Sequence, residues 1–158
     1  MPNSWLISDT HLDHKNIIRY CNRPFPTTKI MNNTIIHLWY DTVMPKDTVY
    51  FLGDLSMGNT RQWLNQLPGE IVFIKGNHDQ GVPTIASKVL PTELGDIFLV
   101  HNPYDASDWP GWAIHGHVHN RRPFIDFNQK RINVSVEVIG YKPVNLDIIL
   151  DIIKRGCS

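Results

Sequence analysis

Residues 5–11 read WLISDTH: a short apolar run that stops at a serine and then presents an aspartate and a histidine two positions apart. Working outward along the chain, the same pattern returns four times, as VYFLGD at 49–54, IVFIKGNHD at 71–79, IFLVHN at 97–102 and WAIHGHVH at 112–119. Each apolar run is too short for a stable helix and suits a strand of a buried sheet. Side chains able to bind a metal follow each run directly. In open α/β sheets, ligands gather in the crevice beyond the carboxyl ends of the strands, where loops converge on a rigid base. One histidine after one strand is ordinary chance, but five strand ends furnished alike point to a single shared site at one edge of the sheet.

Between these runs the period changes. Met31, Ile35, Leu38 and Thr42 recur at helical spacing, with Pro45 soon after to end the segment. Asn59 is placed to cap a shorter helix carrying Trp63, Leu64 and Leu67 before Pro68 and Gly69 stop it. Near the carboxyl end, Asn145 precedes Leu146, Ile148, Ile149, Ile152 and Ile153, an amphipathic helix with a strand over 146–150 as the alternative. The expectation is an α/β fold in one domain over residues 1–158, with no internal repeat or linker to divide it.

Hydrophobic residues make up 42% of the 158-residue chain, enough for a core without crosslinks. Lys plus Arg and Asp plus Glu are balanced at 15 each, so no net field would hold the protein on a nucleic acid or an anionic membrane. Cys21 and Cys157 form neither a zinc spacing nor a disulfide framework, which fits a reducing, cytoplasmic setting. The amino terminus shows no secretory pattern, and no apolar stretch approaches the roughly 20 residues that span a bilayer.

Carboxylate, imidazole and amide oxygen together suit borderline divalent metals such as manganese, iron, zinc, nickel or cobalt, whereas calcium and magnesium prefer sites made almost wholly of oxygen. Taken singly, Asp9 or Asp54 reads as a turn or cap residue; the joint pattern reverses that reading. His115, His117 and His119 alternate and would share one side of an extended segment, with His115 structural. His37 reads as a packed or solvent-facing histidine, and Trp109, Trp112 and Tyr104 as core filling in preference to a stacking platform.

In order, DTH, GD, GNHD, H and GHVH resemble the motifs of the calcineurin-like metallophosphoesterases. The flanking stretches HKNIIRYCNRPF and INVSVE are similar to a compact bacterial and phage branch without a cap domain. The resemblance implies a pair of packed β-sheets flanked by helices, a two-sheet sandwich with the metal site at the strand carboxyl edge. It also implies two divalent transition metals, manganese foremost, with Asp9, His11 and His119 on the first, Asn77, His101 and His117 on the second, and Asp54 bridging. The implied nucleophile is a metal-bridging hydroxide, with His78 contacting the phosphate and protonating the leaving oxygen; Asn77 and His14 are further candidate substrate contacts. Many relatives carry an aspartate three residues after the one in GD, supporting the catalytic histidine, where this chain has Met57. The implied activity is hydrolysis of small phosphate mono- or diesters. A nuclease and a non-catalytic scaffold on the same fold are the alternatives.

Overall fold

The computed structural model describes residues 1–157. Its elements run β1 (Ser4–Ile7), α1 (Lys15–Tyr20), α2 (Thr28–Thr42), β2 (Thr48–Phe51), α3 (Thr60–Gln66), β3 (Glu70–Phe73), β4 (Ser87–Thr92), β5 (Gly95–Val100), β6 (Ala113–His115), β7 (Ile125–Asp126), β8 (Arg131–Asn133), α4 (Val136–Ile139), β9 (Val144–Asn145) and α5 (Leu146–Gly156). The five apolar runs are β1, β2, β3, β5 and β6, each within a residue or two of its expected bounds.

These strands form two sheets, ordered β3-β2-β1-β9 and β4-β5-β6-β8-β7. In the first, β1 and β2 pair in parallel, as do β2 and β3, so the ends of β1 and β2 deliver Asp9 and Asp54 to the same edge. In the second, β5, β6 and β8 are parallel, and the ends of β5 and β6 deliver His101 and the GHVH segment. Leu6 and Tyr50 of the first sheet, with Leu52 just beyond β2, share one buried cluster with Ile97, Leu99, Ile114 and Ile132 of the second, which packs the sheets face to face. Beyond the end of β1, Ser8 bridges in parallel to Ser135, with its N–H donating to the Val134 carbonyl at 3.0 Å. The two sheets are thus stitched together directly beneath the site.

The helices form where their signals lie. Thr27 accepts the Ile30 N–H at 3.2 Å to cap α2, whose Met31, Ile35 and Trp39 recur every four residues and bury against Phe51 and the outer face of the first sheet. Asn59 accepts the Gln62 N–H at 3.0 Å and starts α3. At the carboxyl end the helical reading holds and the strand alternative fails: Asn145 caps α5 at the Asp147 N–H, and Ile149, Leu150 and Ile153 line its buried face. Among the described residues no helix is long and apolar enough to cross a membrane.

Candidate metal centre

The loops after β1, β2, β3, β5 and β6 converge, and most of their functional groups are buried: Asp9 is 0% exposed, with His11, Asp54 and His101 at 3–4%. Asp9 Oδ1 lies 3.6 Å from His11 Nε2 and 3.7 Å from His119 Nε2. Asp54 Oδ2 lies 3.6 Å from His11 Nε2 and 3.3 Å from His101 Nε2, which in turn stands 3.0 Å from Asn77 Oδ1. The His117 ring meets that of His101 edge-on at 5.1 Å. Asp9, His11 and His119 form one group of potential ligand atoms within 4.8 Å of one another, and Asp9, Asp54 and His101 form a second. Ligand bonds near 2.0–2.2 Å set neighbouring ligand atoms about 3–4 Å apart, which is the spacing found here.

Two atoms test whether these residues fit a cation. Asp9 Oδ1 and His11 Nε2 are buried without a hydrogen-bond partner, although burial of such groups costs free energy unless they are satisfied. They face each other across a space bounded by His119 and Asp54. A divalent ion would satisfy both at once, and the donor set of carboxylate and imidazole suits a transition metal.

The backbone is bent to achieve this. Asp9, His11, Asp54, His117 and His119 all adopt positive φ, between 49° and 71°, a region that costs a non-glycine residue energy and gathers at functional sites. Local hydrogen bonds hold the bends: Asp9 N–H to the Gly53 carbonyl at 2.9 Å, His11 N–H to the Asp54 carbonyl at 3.1 Å, and His117 N–H to Asp9 Oδ2 at 2.8 Å. This corrects the expectation for GHVH. The strand ends at His115 and the chain turns into a short 3₁₀ segment at His119–Arg121, so the three histidines do not line one side of an extended stretch. His117 and His119 turn toward the centre; His115 stays 1% exposed with its Nδ1 3.0 Å from the Gly116 carbonyl oxygen. Burial holds the His115 imidazole down at about 4, as befits a neutral packed ring. Gly116 is required by close approach: a Cβ there would run into Ser8 Oγ and Asp9 Oδ2.

The charges reinforce one another. Burial alone would raise the carboxyls of Asp9 and Asp54, but the surrounding imidazoles outweigh it and hold both below the usual carboxylate range. Burial likewise pulls His101 and His119 down, yet Asp54 and Asp9 carry His101 up to about 9, while Cys21, Glu137 and Asp9 carry His119 up to about 10. His101 Nδ1 sits 2.6 Å from the Leu52 carbonyl oxygen; donation there leaves Nε2 facing Asp54.

Three positioning residues lie inside the stretches quoted from the sequence, yet nothing in their spacing marks their role. Glu137, from INVSVE, places Oε2 3.0 Å from His119 Nδ1, and the buried Arg23, from HKNIIRYCNRPF, donates to the same carboxylate through Nε at 2.9 Å and Nη2 at 2.7 Å. Arg23 also donates to the backbone carbonyls of Asp9 and Thr10, both at 2.8 Å. The Arg23–Glu137 pair, 114 positions apart in sequence, therefore ties the β1 loop to His119. Asp79, the last residue of GNHD, accepts the N–H groups of Asp54, Leu55 and Gly76 at 2.8, 3.1 and 2.7 Å and locks the second loop to the third.

The remaining candidates lie at the rim. His78 and Asn77 are less buried than the ligands beneath them; the His78 N–H donates to Asp54 Oδ1 at 2.8 Å, and its ring stands edge-on to His11 at 5.7 Å. Met57 is exposed and offers nothing to orient His78. His14 Nδ1 lies 3.1 Å from His11 Nδ1. His37 pairs with Asp41 at the surface, away from the centre. Trp109 stacks on Phe98 and donates to the Trp112 carbonyl, a packing role; Tyr104, by contrast, is exposed beneath Arg122 and does not fill the core as expected. Cys21 and Cys157 are both free.

No family model matches the chain. A protein of Methanocaldococcus jannaschii, the uncharacterized protein MJ1445, is 48% identical over 168 residues, covering 99% of this chain and 94% of that protein. The crystal structure of AQ665 from Aquifex aeolicus, a protein of unknown function, superposes with a TM-score of 0.75 at 27% identity, over 97% of this chain and 100% of that one. Vps29 of Entamoeba histolytica, in a single-mutant form, shares the fold at a TM-score of 0.50 and 18% identity, over 82% of this chain and 72% of its own. With its five motifs gathered at one edge of a two-sheet sandwich, the chain belongs to one family with the M. jannaschii protein and has the calcineurin-like metallophosphoesterase fold.

Proposed function

We propose that the protein is a dinuclear metal-dependent hydrolase of phosphate esters, acting on small mono- or diesters. One observation carries this reading: the buried, partnerless Asp9 Oδ1 and His11 Nε2 facing each other beside Asp54, His101 and His119. Asp9, His11 and His119 would hold one cation, Asn77, His101 and His117 the other, and Asp54 both. When bound, such a pair, manganese or another divalent transition metal, supplies Lewis-acid activation of water and offsets the charge of a phosphate.

The chain's own residues supply the rest. Asp54 is anchored on its Oδ1 by the His78 N–H, which leaves Oδ2 for the centre. The same bond fixes the His78 backbone while its ring stays at the mouth. There it can contact a phosphate oxygen and deliver a proton to the departing oxygen, a role suited to imidazole. Among the described residues the His78 ring makes no hydrogen bond or ion pair, so substrate itself is its natural orienting partner.

The test combines metal analysis of the purified protein with hydrolysis of an aryl phosphomonoester and an aryl phosphodiester after loading with manganese. Bound metal with turnover of either ester supports the reading. Full metal occupancy with no turnover of any ester would instead favour a non-catalytic scaffold.

A further inference from the structure

A path of side chains leads outward from the candidate centre along α1. The His11 and His14 rings lie 5.3 Å apart, the Tyr20 ring meets His14 edge-on at 6.2 Å, and the Arg19 guanidinium stands 5.5 Å from the Tyr20 ring centre. Tyr20 is 63% exposed, so this aromatic is not spent on the core. Lys15 and Arg19, one helical turn apart, then form one wall of a groove of about 560 Å³, whose other wall is residues 26–29, ending at Lys29.

The groove is lined by three cations and by no carboxylate. Among the described residues Lys15, Arg19 and Lys29 form no ion pair. In a chain with 15 basic and 15 acidic residues, this is a local positive field that net charge conceals. Cations beside an open aromatic are the features by which proteins hold a phosphate and stack the adjoining base.

We propose that this groove binds a second phosphate, and Tyr20 the base, of a nucleotide-type substrate whose scissile phosphate lies at the candidate metal centre. The proposal rests on the phosphoesterase reading and narrows its substrate class. A free dinucleotide and the end of a single-stranded oligonucleotide share this chemistry.

The experiment follows cleavage of the internucleoside bond in thymidine dinucleotides with and without an added terminal phosphate, at the 5′ or the 3′ end, by manganese-loaded protein. An oligothymidylate of about ten nucleotides, bis(p-nitrophenyl) phosphate and p-nitrophenyl phosphate run alongside. One of the terminally phosphorylated dinucleotides should exceed the unphosphorylated one in kcat/KM by about fivefold or more, and Arg19→Ala with Lys29→Ala should bring that ratio close to one. Equal rates for all dinucleotides, or a ratio that survives the double substitution, would overturn the proposal. Faster cleavage of the longer strand identifies nucleic acid as the source; faster cleavage of the dinucleotide identifies the small molecule. Should bis(p-nitrophenyl) phosphate and p-nitrophenyl phosphate both resist hydrolysis, it is the phosphoesterase reading that fails. The groove is then judged by fluorescence anisotropy of labelled dinucleotides, where the terminal phosphate should tighten binding and the double substitution should flatten the logarithmic salt slope by about 1.4. Absence of both effects removes the groove independently of catalysis.

Discussion

Replacing Glu137 by glutamine leaves the shape of the side chain nearly unchanged and removes its charge, which makes it a sharp probe of how the candidate centre is held. The Glu137 and Arg23 side chains are 2% and 0% exposed, so the arginine would keep its charge in the interior opposite a neutral amide. Breaking a buried pair costs about 3–5 kcal/mol; because the amide oxygen can still accept from Arg23, about 3 kcal/mol is the expected loss. For a chain of this size that lowers Tm by roughly 6–12 °C, at about 2–4 °C per kcal/mol. The second effect is on metal. The His119 ring loses a carboxylate partner at 3.0 Å, and loss of such a partner costs about 10- to 100-fold in metal affinity. Because the second group of ligand atoms does not include His119, a titration of the metal-free protein should show one weakened step and one preserved step. Calorimetric manganese titration and thermal melts of both proteins measure these quantities. Two binding steps of unchanged affinity with an unchanged Tm would refute the argument that Glu137 and Arg23 position His119.

Metal binding should strengthen as pH rises from 6 to 9: with His101 raised to about 9 and His119 to about 10, a metal ion must displace protons to reach these rings, and calorimetry in buffers of different ionisation heat should register their release. Without metal the sign reverses, since the stabilisation from these raised imidazoles is complete below the ordinary value of 6.5 and is lost as pH climbs through 9 to 10, which melts of metal-free protein across that window will reveal or deny. Asp79→Ala strips three backbone N–H groups of their acceptor at roughly 1–3 kcal/mol for each one left buried, so urea unfolding should show a loss of at least about 3 kcal/mol; a loss below about 1 kcal/mol would mean water replaces the carboxylate. Gly116→Ala forces a methyl group onto Ser8 and Asp9, with about 1–3 kcal/mol of destabilisation and weaker manganese binding expected together; wild-type values in both assays would show the loop can yield. His78→Ala should retain both metals and slow alkyl esters, which need a proton on the leaving oxygen, far more than aryl esters; loss of a metal with the ring would make His78 a ligand instead.

Much of this molecule is legible in one dimension because its determinants are local. Strands are readable from short apolar runs, helices from periodic segments that follow capping residues such as Asn59 and Asn145, and the candidate ligands from their place immediately after strands, since a strand's direction decides where its next residue emerges. Strands β7 and β9 are two residues each, too brief to leave a periodic trace, and β4 escapes the pattern because its alternation is interrupted by Pro91.

What chain order could not reveal is what holds the ligands in place. Aspartate and histidine enter the αL region more readily than most residues, but that mild preference does not select Asp9, His11, Asp54, His117 and His119 for it; bonds to other loops hold those bends. Likewise Arg23 and Glu137 are ordinary charged residues until folding closes 114 positions between them and removes the water that would otherwise weaken their attraction. Residue type and spacing therefore decided which chemistry this protein carries, while burial and long-range closure decided the geometry and charge state in which it is carried.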